Sequence, residues 1–124
     1  MRALALVASI ARLHIVAIGA MGALTFGFAF TGERPWLAAL FAALDWFVVN
    51  LLNRVVDLVE DQENAIHGAD SVARHRGLVL AVGMVTLIAS LVATSLVAPR
   101  MLVPRVLFHA LGFAYNWPLP GGRR

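Results

Sequence analysis

An all-α integral membrane bundle of about four transmembrane helices is the fold this sequence predicts, on three observations. Its 124 residues are 60% apolar and only 14% charged, and mean hydropathy is +0.81. A soluble chain this small leaves much of its surface facing water and cannot bury so much apolar area. Long stretches pass without a charge, the longest from Gly77 to Pro99. As a helix, about 20 such residues cross roughly 30 Å of hydrocarbon. Cysteine is absent, which excludes disulfides, thiolate zinc sites and cysteine catalysis. All ten basic residues are arginine, and the net charge is +3. So small an excess fits membrane topology better than nucleic-acid binding.

The expected spans are residues 13–32, 35–56, 77–98 and 104–118, within one membrane domain covering 1–124. The first holds only His14 as a titratable group, and the second one mid-span acid, Asp45. The fourth is shorter and more polar, with His109, Tyr115 and Asn116. Thr31-Gly-Glu-Arg-Pro35 reads as a tight turn in which glycine ends one helix and proline opens the next. Pro99 to Pro104 makes a second short turn. The one long polar connection covers residues 57–76. The run from Arg2 into Ala3–Ile10 is an interfacial lead-in rather than a signal peptide, because Arg12 and His14 interrupt it. With both termini on one side, that side holds Arg2, Arg12, Arg54, Arg74, Arg76, Arg123 and Arg124, against Arg34, Arg100 and Arg105 opposite. The positive-inside rule then puts the termini and the 57–76 loop in the cytosol.

Chemistry concentrates at the end of the second span, in Asn50-Leu-Leu-Asn53-Arg-Val-Val-Asp57-Leu-Val-Glu-Asp61. On a helix, Asn50, Asn53, Asp57 and Asp61 fall at about 0°, 300°, 340° and 20°, one polar stripe. Carboxylates are disfavoured at a helix C-terminus and repel one another at i, i+4. Such a stripe asks for a cation, and oxygen-only ligands suit Mg²⁺ or Ca²⁺. The plainer reading is a charged cap where a helix leaves the bilayer; two asparagines within the span weigh against it.

Asn53-Arg-Val-Val-Asp57-Leu-Val-Glu-Asp61 resembles the first aspartate-rich motif, NxxxDxxxD, of the UbiA superfamily of intramembrane prenyltransferases. A polar loop with Arg74-His-Arg76 follows, then two spans, then Tyr115-Asn-Trp-Pro-Leu-Pro with Arg123 and Arg124, similar to the end of that family's fourth helix. The resemblance implies that Asn53, Asp57 and Asp61 hold Mg²⁺ against the diphosphate of a prenyl donor. Asp57 and Asp61 would be the catalytic pair. Asn53, Arg74 and Arg76 would bind diphosphate, the two arginines being equally readable as ordinary positive-inside charge. The implied partners are a prenyl diphosphate, a lipophilic or aromatic acceptor and the bilayer, with no nucleic acid. The family has about nine spans and a second aspartate-rich motif, and this sequence has no other Asp-x-x-x-Asp. The expectation is therefore the N-terminal half of a longer enzyme, completed by a missing C-terminal half or a partner subunit.

The other polar residues carry blander readings. A charge at mid-span is costly, so Asp45 is partnered or functional, and a structural or cavity-lining role is favoured because its angle takes it off the acidic stripe. His14 is interfacial. His109 and Asn116, two turns apart, suit interhelical hydrogen bonding or a cavity wall. Tyr115, Trp117 and Trp36 suit aromatic belts. Gly19, Gly22, Ala23 and Gly27 form a small-residue face for helix packing. Two other functions compete: a small four-span transporter, for which Asp45 is the only available membrane carboxylate, and a membrane scaffold without chemistry.

Overall fold

The computed structural model describes residues 10–116. Among them the chain is all-helical: α1 (Leu13–Thr31), α2 (Trp36–Val56), α3 (Leu58–Glu63), α4 (Ala69–Arg74), α5 (Arg76–Val97), a 3₁₀ turn (Pro99–Met101) and α6 (Leu102–Asn116). Helices α1, α2 and α5, of 19, 21 and 22 residues, are long and apolar enough to cross a bilayer, which is compatible with an integral membrane protein. They match the first three expected spans to within a residue or two. Of the expected fourth span, residues 104–116 are described, and all of them lie in the helix Leu102–Asn116. That helix is not among the three membrane-length helices of the described residues. It also buries Arg105 and His109. Expectations resting on Arg2, Trp117, Arg123 and Arg124 fall outside the described residues.

The connections follow local chemistry. Gly32 takes the left-handed conformation (φ 73°), and its N–H donates to the Phe28 carbonyl, closing α1. The Thr31 hydroxyl donates back to the Gly27 carbonyl at 2.8 Å and accepts from the Glu33 N–H at 3.1 Å. The polar connection after α2 is not irregular loop, because it folds into the single-turn helices α3 and α4. Ala69 and Val72 of α4 are buried, and the Gln62 amide donates to the Asp70 carboxylate at 3.3 Å.

Helix α2 is the centre of the bundle. It packs along α1 on one side and α5 on another, and it also meets α6. The core is Val48 and Leu52 of α2 with Leu87 of α5, flanked by Leu80, Leu91 and Phe113. Gly83 of α5 is buried against α2; a Cβ there would stand 3.4 Å from the Leu52 side chain, an ordinary packing contact. No residue of α1 is buried, and Phe26, Phe28 and Phe30 are all exposed. In water this would be a large apolar liability, whereas hydrocarbon solvates it.

The small-residue face of α1 divides by contact. A Cβ on Gly19 would come within 2.1 Å of Trp46 Cδ1, and one on Gly27 within 2.3 Å of Pro35 Cγ, while Gly22 has open space. Gly19→Ala is therefore expected to destabilise the α1–α2 contact by about 1–3 kcal/mol, the range for overpacking. Gly22→Ala is the matched control and should be neutral. Thermal unfolding of both variants in detergent, followed by circular dichroism, checks this; equal melting temperatures would show that Trp46 moves aside at no cost.

Candidate functional site

Two buried polar clusters lie within this apolar bundle, and the first is at the end of α2. The helix bends at Asp57, yet the Asp57 N–H donates to the Asn53 carbonyl and the Asp61 N–H to the Asp57 carbonyl, both at 2.8 Å. The i, i+4 spacing of Asn53, Asp57 and Asp61 therefore survives the bend. Asp57 is half-buried, whereas Asp61 is 7% exposed. Burial of an unpaired carboxylate would be prohibitive, and Arg54 supplies the partner. Arg54 Nη1 donates to Asp61 Oδ2 at 2.6 Å, and Arg12 Nη2 stands 3.7 Å from Asp61 Oδ1. Arg54 Nη2 also donates to the His67 carbonyl at 3.2 Å, tying the α3–α4 connection to α2. Arg12 itself holds a left-handed backbone (φ 48°) just before α1, a conformation costly for a non-glycine residue.

In sequence Arg54 counts only among the cytosolic-side arginines, and its role as the Asp61 counter-ion emerges from the fold. Arg54→Leu should cost about 3–5 kcal/mol, because it leaves Asp61 buried and unpaired. A melting temperature within error of wild type would show that Arg12 alone compensates the charge.

The other expected diphosphate residues lie apart from this cluster. Arg74 lines an open polar cleft of about 450 Å³ over α3 and α4, shared with Gln62, His67 and Asp70. Arg76 is exposed at the start of α5. Among the described residues, no hydrogen bond or ion pair joins either arginine to Asp57 or Asp61. Asn53 faces a small crevice between α2 and α6, and its Oδ1 is buried with no protein partner.

The second cluster lies deeper and spans three helices. Asp45 of α2, 9% exposed, accepts from Arg105 Nε at 3.0 Å (Oδ2) and 3.2 Å (Oδ1), and Arg105 Nη2 reaches Oδ1 as well. This two-pronged grip is the strongest carboxylate pairing a protein offers. His109 Nε2 lies 2.8 Å from the same Oδ1. The guanidinium is completed from α5: Nη1 donates to the Ser90 carbonyl at 3.2 Å and to the Thr94 hydroxyl, and Nη2 donates to Ser90 Oγ at 3.2 Å. Its flat face covers the Phe41 ring, with the central carbon 4.4 Å from the centroid.

In sequence, Arg105 read as an interfacial arginine after a turn. The signal that could have found it is Asp45: a mid-span acid demands a cation, and Arg105 begins a helix with His109 one turn on. The expectation that Asp45 is partnered and off the acidic stripe holds, as does interhelical hydrogen bonding by His109.

In kind, the oxygen donors at the end of α2 fit Mg²⁺, which binds through one or two carboxylates together with water and phosphate. Asp61 brings the qualification that one oxygen already accepts from Arg54. Among the described residues, no three acidic, histidine or cysteine side chains converge into a self-sufficient metal cage. No protein-family model matches this chain, and comparison with curated proteins and with solved structures yields no match either.

Proposed function

We propose that this chain carries the first half-site of a UbiA-type intramembrane prenyltransferase, which moves an isoprenyl group from a prenyl diphosphate to a lipophilic or aromatic acceptor. The observation that carries the reading is Asn53-x-x-x-Asp57-x-x-x-Asp61 at the end of the second membrane-length helix, with its spacing kept by the backbone and apolar, lipid-suited surface behind it. Asp57 and Asp61 would hold Mg²⁺ with Asn53 beside them, and Arg74 and Arg76 would meet the diphosphate from the connection that follows. When bound, the metal supplies charge neutralisation on the departing diphosphate. The chain's own contribution is to position the donor and to keep water from the reacting carbon, through the apolar faces of α2, α5 and α6. A second acidic motif, from another segment or subunit, would complete the site. In this reading the α6 helix is the family's fourth span, and the arginine bias puts both termini and the 57–76 connection in the cytosol.

The transporter reading loses its main support. Asp45, the one membrane carboxylate it could use, is committed to Arg105 and His109.

The test is equilibrium binding of tritiated farnesyl diphosphate to the 124-residue chain in nanodiscs, with Mg²⁺ or with EDTA. Binding that appears with Mg²⁺ and vanishes with EDTA is expected. Binding that is absent, or indifferent to the metal, overturns the reading.

A further inference from the structure

The crevice between α2 and α6 joins the two buried clusters. Its polar lining is Asn53, His109 and Asn116, set among Val49, Leu52 and Phe113, and its room of about 10 Å³ matches one water molecule. The hydrogen-bonding character of that lining can be derived atom by atom. Asn53 Oδ1 is buried there without a protein partner. His109 Nε2 is engaged by Asp45 at 2.8 Å, so the ring nitrogen left for the crevice is Nδ1, an acceptor in the Nε2–H tautomer. Asn116 spends an amide hydrogen on the Gly112 carbonyl at 3.0 Å, which leaves Oδ1 as its acceptor. Asn53 Oδ1 unpartnered, with His109 and Asn116 in the same lining, calls for a small donor in a space of this size.

We propose that this crevice is a binding site for one structural water, which donates to Asn53 and His109 and so couples the Asp45–Arg105–His109 cluster to the motif at the end of α2. Such a water makes its usual two to four hydrogen bonds and satisfies an amide oxygen that is otherwise costly to bury. His109 is then a positioning residue, acting on the motif through the water and Asn53. That consequence rests on the function proposed above, whereas the water site does not.

The experiment uses the full chain in nanodiscs, with the histidine rings ¹⁵N-labelled. In the wild type, the His109 signals should show the Nε2–H tautomer and a cross-peak to a slowly exchanging water. Asp45→Asn should weaken the tautomer preference, and His109→Phe, which fills the crevice, should abolish the water contact. In the binding assay, His109→Phe should weaken Mg²⁺-dependent farnesyl diphosphate binding about 10-fold, the lower end for loss of an outer-shell partner. His109→Gln, which retains an acceptor, should recover most of it. A wild-type His109 with no water contact, or one protonated at Nδ1, overturns the site. A water contact in a chain whose wild type binds no farnesyl diphosphate upholds the site and refutes only the proposed function. If the water is present but His109→Phe leaves metal-dependent binding unchanged, the coupling to the motif is overturned.

Discussion

Arg105→Met is expected to lower the stability of the bundle by about 3–5 kcal/mol, enough to unfold a marginal domain. The substitution approximates the side chain's volume and removes its charge. Asp45 is then left in an apolar interior with only His109 beside it, and Ser90 and Thr94 lose the donor that links α5 to α6. The converse change isolates the charge effect. Arg105→Met combined with Asp45→Leu replaces an ion pair by packing, an exchange that is often neutral or stabilising. The double variant should therefore recover most of the loss seen in the single one. Thermal unfolding in detergent, read by circular dichroism, gives both numbers. Additive losses in the double variant would mean that the helices are held by packing alone and that the pair contributes nothing specific.

Asp57→Asn and Asp61→Asn should both abolish Mg²⁺-dependent binding of a prenyl diphosphate, a loss of at least 100-fold, yet they should differ in stability. An amide contributes no negative charge to a metal that needs carboxylate oxygen. Asp57 is half-buried and has no charged partner among the described residues, so its neutralisation leaves the fold intact. Asp61 anchors Arg54, and its loss leaves a guanidinium uncompensated inside the protein. Asp61→Asn should therefore also lower the melting temperature, and Asp57→Asn should not. Equal melting temperatures with retained binding in both variants would remove these residues from the site. Equal and large destabilisation would make Asp57 a structural residue as well.

The legible part of this fold is the part governed by one-dimensional properties. Runs without charge mark α1, α2 and α5 because hydrocarbon excludes charges wherever the neighbouring helices lie. Glycine and proline punctuate the α1–α2 turn because backbone conformation is local. The Asn53, Asp57 and Asp61 register could be read for the same reason, since a helix repeats every 3.6 residues. The connection after α2 was harder. Its density of charges suggests a solvated loop, but Arg54 reaches across to Asp61 and to the His67 carbonyl and draws the segment onto the bundle.

By itself, then, the sequence determined the helical class, three membrane-length helices and an acidic motif at the end of the second, all of which follow from local periodicity and transfer energetics. What the charges do depends on how the helices pack. Arg105 lies 60 residues from Asp45, and no rule of spacing relates them. They meet because α5 and α6 fold back against α2, and a mid-span carboxylate is tolerated only where a cation and its hydrogen bonds converge on it. The same folding back places His109 beside the crevice that Asn53 lines, which is how a histidine of α6 comes to share a crevice with the motif of α2.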